Sequence, residues 1–340
     1  MTDLRSMTES ELKAAAVSLG QPAYRGSQLF SWLHKKKIKD LDEALNLPKS
    51  FRDALRQQYA LSVLEVHALQ LSRDGTRKYL FRLPDGEAVE SVFMPYDYGH
   101  TVCVSSQVGC RMGCRFCAST LNGLSRNLLP GEMLEQIYRI EEETAEKVDH
   151  VVVMGMGEPL DNLENLIRFL RLVSDPAGKN LSQRNITVST CGLVPQIRRL
   201  AEEKLAVTLA LSLHAPNDEL RRTMMPIANR YTIRETLAAC DDYFKKTGRR
   251  MSYEYSLVRG SNDSEEMALA LAALLKGRNC HVNLIPVNPV TERGFEASQE
   301  AAVLHFQKTL EKNGINATIR KRMGADIDGA CGQLRRRLTE

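Results

Sequence analysis

From about residue 100 onward, β-like runs alternate with helical ones, and no other feature restricts the fold as strongly. The β-like runs are Val102 to Ser105, Val151 to Met154, Ile186 to Ser189, Val207 to Ser212, Tyr253 to Leu257, Val282 to Ile285 and Ala317 to Ile319. Between them one helix starts at Pro130, with Glu132 in its first turn, and others are expected over roughly 161–173, 193–203, 232–246, 263–277 and 296–312. Repeated strand–helix units give a parallel sheet with covering helices, open or closed into a barrel. Glycine-, proline- or polar-rich segments fall just after the strands: a cysteine loop, Gly155 to Pro159, Ser189 to Gly192, Ser212 to Pro216 and Asn288-Pro289. Parallel α/β folds build their sites at the carboxyl ends of strands, so all five segments are expected at one mouth.

Upstream the pattern differs. Residues 8 to 60 read as helices: Thr8 and Glu11 are spaced as a capping box, and Leu47-Pro48 interrupts the chain before a third helix. Between Lys78 and Met94, Tyr79, Phe81 and Leu83 alternate with other residues until Pro84-Asp85-Gly86 turns the chain, which predicts a β-hairpin. On its second strand Glu90 shares a face with Ala88, Val92 and Met94, so a carboxylate stands among apolar neighbours, where ionisation is costly.

Apolar and charged fractions of 43% and 26% suit a globular chain, and no apolar run approaches the length of a membrane span. The N-terminus carries no secretory pattern, so a cytoplasmic location is expected. Thiols stay reduced there, and the eight cysteines therefore point to metal binding or catalysis. Three of them form Cys110-x-x-x-Cys114-x-x-Cys117, a pattern that random placement would produce only about 0.004 times. Three thiolates leave one iron of a cubane open, and an open iron can bind the amino and carboxylate groups of S-adenosylmethionine. Gly109 and Gly113 let the loop turn tightly, and Phe116 can shield it. A three-cysteine zinc site completed by a distant histidine is the competing reading.

This spacing resembles that of the radical S-adenosylmethionine superfamily, and further segments narrow the resemblance. Cys103-Val-Ser-Ser-Gln-Val-Gly-Cys110, Cys117 to Leu128, Gly155-Met-Gly-Glu-Pro159, Ser212-Leu-His-Ala-Pro216 and Gly324 to Gln333 resemble the radical methyltransferases of the RlmN/Cfr family, which modify adenine in ribosomal and transfer RNA. The resemblance covers the chain from about 90 to 334. It implies an α/β fold: a partial (β/α)6-type TIM barrel over 96–326, a small N-terminal helical domain over 1–62 that grips RNA, a connecting β-hairpin over 63–95 carrying Glu90, and a C-terminal segment, 327–340, carrying Cys331.

The resemblance also implies roles. Cys110, Cys114 and Cys117 would hold a [4Fe–4S] cluster; Gly157, Glu158, Ser189, Ser212, Leu213, His214 and Asn288 would bind S-adenosylmethionine. Cys331 would become S-methylcysteine, Cys103 would close a transient disulfide with it, and Glu90 would accept a proton, with two S-adenosylmethionine molecules used per turnover. The implied partners are 23S ribosomal RNA, transfer RNA and an electron donor such as flavodoxin or ferredoxin, with no membrane and a monomeric chain. Methylation at adenine C2 is the expected outcome, and the Ala118 to Leu124 run and Met154-Gly-Met-Gly-Glu-Pro159 favour it over methylation at C8. Cys191, Cys240 and Cys280 have no place in the family pattern and read as buried small hydrophobes.

The net charge of +4 is mild, but basic runs flank the chain: His34-Lys-Lys-Lys-Ile-Lys39, Arg320-Lys-Arg322 and Arg335-Arg-Arg337. These fit phosphate contacts, whereas Tyr24, Phe30 and Trp32 read as core of the small domain. A base must leave its stack to reach a buried cluster, so loop RNA is the expected substrate. An RNA-binding protein with a merely structural metal site is the alternative from another class; it would not need Cys103 or Cys331.

Overall fold

The computed structural model describes residues 1–334 apart from Pro289, so Arg335-Arg-Arg337 and the proline of Asn288-Pro289 lie outside the described residues. The N-terminal region is tied at its ends by two short parallel strands, β1 (Thr2–Asp3) and β2 (Tyr59–Ala60), around helices α1 (Glu9–Ser18), α2 (Tyr24–Ser31) and α3 (Lys49–Gln58). The expected capping box forms at α1, where Thr8 and Glu11 satisfy each other's backbone N–H groups. Phe30 is core, but Tyr24 is exposed, with the Arg25 guanidinium over its ring, contrary to the expectation.

The predicted hairpin is present as β4 (Arg77–Arg82) and β5 (Ala88–Tyr96). Ahead of it runs an unpredicted strand, β3 (Glu65–Leu71), and after it β6 (Gly99–Cys103) pairs antiparallel with β5. A small pair, β7 (Gln107–Gly109) and β8 (Leu124–Asn127), frames the cysteine loop. The strands β9 (His150–Val153), β10 (Ile186–Thr190), β11 (Thr208–Ser212), β12 (Met251–Leu257), β13 (Cys280–Pro286) and β14 (Ala317–Ile319) then follow with parallel pairing. The ten-stranded sheet has the order β14-β13-β12-β11-β10-β9-β6-β5-β4-β3.

Between the parallel strands lie α4 (Pro130–Thr144), α5 (Leu163–Val173), α6 (Val194–Glu202), α7 (Asp218–Met224), α8 (Ile233–Thr247), α9 (Glu265–Leu275) and α10 (Glu300–Lys312). Six strand–helix units result, running from β6-α4 to β13-α10. β14, at one edge of the sheet, shares a chamber wall with β5 and β6 near the middle, so the sheet curls into a trough. This is the α/β partial barrel expected from the sequence. No helix among the described residues is long and apolar enough to cross a membrane.

α4 is buried along most of its length between the trough and the N-terminal helices. Arg5, fully buried, donates to the carbonyls of Leu33 (2.8 Å), Ile38 (2.6 Å) and Ser62 (3.2 Å) and pairs with Glu135 of α4 at 3.1 Å. His34 meets the Tyr138 hydroxyl at 3.0 Å, and Lys37 pairs with Glu141 at 2.6 Å. Lys39 pairs with Glu142, so half of the lysines in the first basic run face α4 rather than solvent alone.

Candidate active site

The cysteine loop is shaped by its glycines. Gly109 adopts φ +77°, and a Cβ there would lie 2.0 Å from the Gly123 carbonyl oxygen, the same oxygen that accepts the Cys110 N–H at 2.9 Å. Thr120 donates its hydroxyl to the carbonyls of Cys114 and Cys117, at 3.2 and 3.0 Å, which holds the two ligand positions in one turn. Burial pushes the Cys110 thiol up to about 12, and raises Cys114 and Cys117 as well; Cys110 and Cys114 both feel the charge of Cys117, and Cys117 that of Cys331. Three thiolates in one short loop, Cys110 buried and Cys114 and Cys117 half-buried, are tenable only beside a cationic centre, and iron coordination provides one, so the donor set fits the expected cluster.

The segments after β9, β10 and β11 meet this loop. Gly157 has φ +102°, and a Cβ there would lie 2.6 Å from Gln107 Cβ. Glu158 is buried; its carboxylate accepts the N–H groups of Cys191 (2.8 Å) and Leu160 (3.1 Å). Ser189, Ser212, His214 and Asn288 line a chamber of about 120 Å³ together with Cys117 and Cys331. Leu213 is buried outside that lining; its N–H and that of His214 both donate to the Glu254 carbonyl. His214 Nδ1 accepts the Ser256 N–H at 2.9 Å, which leaves Nε2 as the proton-bearing nitrogen. Burial pulls the His214 pKa down to about 3, so the ring is neutral near pH 7, with Phe116 edge-on at 4.8 Å.

Cys331 stands between this chamber and a second one of about 540 Å³; Met154, Ile285, Asn288, Arg320 and Cys331 border both. Its backbone is latched to the cysteine loop: Ala118 N–H donates to the Gly332 carbonyl at 2.7 Å, and the Ser119 hydroxyl to Leu334 at 2.8 Å. Asn288 Nδ2 donates to the Cys331 carbonyl at 3.0 Å. Cys103, at the end of β6, opens into the larger chamber, where burial and the charge of Cys331 push its thiol up to about 12. Both cysteines are free thiols.

Glu90 does not line either chamber, although Val92 and Met94, from the same strand face, line the larger one. It is buried as expected, yet Lys78 Nζ lies 3.4 Å from its carboxylate, so its surroundings are not purely apolar. Three arginines were missed or misread. Arg320, assigned to phosphate contact, donates to Cys331 Sγ at 3.0 Å and to Met154 Sδ at 3.4 Å. Arg322 donates to Asn288 Oδ1 at 3.0 Å. Arg221, on α7 and not singled out in the sequence, is fully buried and ties the carbonyls of Cys191, Ser212 and Leu213 together. Cys240 and Cys280 are buried, as expected; Cys191 is buried too, but beside Glu158 and the cluster loop.

Six strand–helix units with a three-cysteine loop at the carboxyl ends of their strands define a radical S-adenosylmethionine enzyme, and the family model of that superfamily matches residues 104–272. A second model, the ribosomal RNA large subunit methyltransferase N-terminal domain, matches residues 2–61. The chain is 57% identical to a probable dual-specificity RNA methyltransferase RlmN of Lachnospira eligens, over 100% of this chain and 97% of the relative. It is 52% identical to the Clostridioides difficile protein of the same name, over 98% and 97%. A crystal structure of a radical SAM methyltransferase from Sphaerobacter thermophilus superposes with a TM-score of 0.94 at 44% identity, covering 98% of this chain and 99% of that one. The chain belongs to the RlmN family of radical S-adenosylmethionine RNA methyltransferases.

Proposed function

We propose that the chain methylates carbon 2 of an adenosine in the peptidyl transferase centre of 23S ribosomal RNA and of the adenosine next to the anticodon in transfer RNA. The observation that carries this reading is the position of Cys331 on the wall common to two chambers, one beside the cysteine loop and one containing Cys103. A thiol so placed can be loaded from one side and unloaded on the other. The dual-specificity name borne by relatives at 52–57% identity supports both RNA classes.

In this reading Cys331 Sγ takes a methyl group from one S-adenosylmethionine, with the Arg320 guanidinium 3.0 Å away to offset charge on the attacking sulfur. Cys110, Cys114 and Cys117 would hold a [4Fe–4S] cluster, which would supply the electron that splits a second S-adenosylmethionine and so the radical that draws hydrogen from the S-methyl group. Glu158 accepts hydrogen bonds from the methionine amino group, and Gly157, Ser189, Ser212, Leu213, His214 and Asn288 shape the surrounding pocket. Cys331 would then present its one-carbon unit to adenine in the larger chamber; once that carbon joins C2, the adduct gives up one electron, which would return to the cluster, and the C2 proton, which passes by relay to Glu90 behind the chamber wall. Cys103 attacks Cys331 Sγ; the S–C bond breaks with its electron pair on the one-carbon unit, which takes up a proton to become methyl as the disulfide closes, and two electrons and two protons from the donor restore the thiols. Residues 1–62 grip the RNA, 63–95 carry Glu90, 96–326 form the radical core and 327–340 carry Cys331. The chain works as a monomer with flavodoxin or ferredoxin as electron donor.

The test is mass spectrometry of nucleosides from ribosomal and transfer RNA after incubation with anaerobically reconstituted protein, labelled S-adenosylmethionine and a reductant. The expected product is labelled 2-methyladenosine from both RNAs, absent with Cys331→Ala. Label at C8 instead overturns the regiochemistry, and label in one RNA class only overturns the dual specificity.

A further inference from the structure

The hairpin between β5 and β6 ends in an aromatic pair that the mechanism does not use. Tyr96 and Tyr98 flank Asp97, and their rings stack with centroids 4.9 Å apart and planes 9° apart. Tyr98 is 68% exposed, whereas large apolar rings in this protein are mostly buried. Its other neighbour is His150, edge-on at 5.6 Å and 77°. Both tyrosines line the chamber of about 540 Å³ that holds Cys103 and Cys331. Tyr96 is half-buried, and its hydroxyl is pushed up to about 12 by burial and by the Tyr98 charge, with Arg320 opposing and Cys331 and Cys103 adding smaller upward contributions. The pair is therefore graded: Tyr96 inward, Tyr98 at the rim.

The rim is held in place. Gly99 follows Tyr98 at φ +130°, the His100 N–H donates to Asp149 Oδ2 at 3.1 Å, and the Asp149 N–H returns to the His100 carbonyl at 2.9 Å. Lys321 and Arg322 are exposed on the same chamber, a pair of cations suited to a phosphate backbone. A fixed, exposed, stacked ring beside cations has the chemistry of a single-stranded nucleic-acid platform, where each base has a π-face to offer.

We propose that Tyr98, backed by Tyr96, stacks on the unpaired nucleobase adjoining the target adenine. This rests on the reading that the Cys331 chamber receives an RNA adenine. When that adenine leaves its stack to enter the chamber, its neighbour loses a stacking partner, and Tyr98 replaces it at the mouth. The interaction is with a ring face and not with a base edge, so it tolerates different neighbours and suits an enzyme with two RNA substrates.

The experiment measures binding of a short hairpin RNA whose loop carries one adenine flanked by 2-aminopurine, using the full-length apoprotein. Quenching of 2-aminopurine reports stacking, and anisotropy reports affinity. Tyr98→Ala is expected to weaken affinity about tenfold and to abolish quenching, while Tyr98→Phe stays within about twofold of the parent and keeps it. The salt dependence of binding stays unchanged in both, because no ion pair is removed. An exposed ring has little to do with folding, so an unchanged thermal melt separates the platform from a structural role. Tyr98→Ala binding and quenching like the parent overturns the platform alone; failure of the parent protein to bind this RNA at all overturns the RNA reading on which it rests.

Discussion

The joint between the N-terminal helices and α4 is expected to weaken steeply in acid, through His34. Its ring is fully buried in the run Trp32 to Lys36, Nδ1 lies 3.0 Å from the Tyr138 hydroxyl, and Nε2 has no hydrogen-bond partner among the described residues. Burial first, and the Arg5 charge second, pull its pKa from 6.5 down to about 3. The unfolded chain thus binds one more proton than the folded chain between those two values, so the contribution is complete above pH 6.5 and is lost as pH falls toward 3. At pH 5 the loss is 1.5 pH units at about 1.36 kcal/mol each, or about 2 kcal/mol. His214, buried with its pKa also near 3, adds a similar amount. His34→Asn keeps an acceptor for the Tyr138 hydroxyl and removes the titration. Urea unfolding at pH 7.5 and pH 5, followed by the fluorescence of the single tryptophan, Trp32, is expected to show the variant losing about 2 kcal/mol less than the parent. Equal losses in the two proteins would refute the assignment of this titration to His34.

Other consequences are equally direct. Cys103→Ala removes the thiol that releases the product, so a covalent RNA adduct at Cys331 should accumulate under reducing anaerobic turnover and appear as a shifted band on a denaturing gel; free methylated RNA at the parent rate would contradict the disulfide step. Arg5→Ala leaves three buried carbonyls without their donor and the buried Glu135 carboxylate with Arg139 as its remaining cation, and should cost about 3 kcal/mol in denaturant unfolding; less than about 1 kcal/mol would mean the site relaxes to admit water. Gly109→Ala drives a Cβ against the Gly123 carbonyl, so iron bound per chain after reconstitution should fall by more than half, with the unfolding midpoint little changed. Retained iron would show that the loop can be rebuilt around a side chain.

The strands that carry the site were readable because buried parallel strands are short apolar runs bounded by polar turns. Val151 to Met154 and Ala317 to Ile319 lie within a residue of β9 and β14. β3 was not read: its apolar residues Val66, Ala68, Leu69 and Leu71 break step at the bulge between Val66 and Ala68, all seven of its residues are exposed, and its place is set by pairing with β4. The cysteine loop declares itself by spacing alone. The Lys78 partner of Glu90 does not, because it lies across two strands, where only register brings residues together.

Arg320 marks the same limit in the site itself. As the first of three basic residues after a short strand, it has the local signature of a phosphate cluster, and nothing nearby in sequence indicates otherwise. Its role is decided by the curl of the sheet, which brings the edge strand β14 to the chamber shared with β5 and β6 and turns the guanidinium inward onto Cys331. The guanidinium is half-buried there, and Glu254 of β12, 3.8 Å away, provides part of its counter-charge. The two chambers on either side of Cys331 are therefore a property of barrel closure: residues from β5, β6, β13, β14 and the C-terminal segment meet there, and the geometry that allows one thiol to serve both sides exists only once they have.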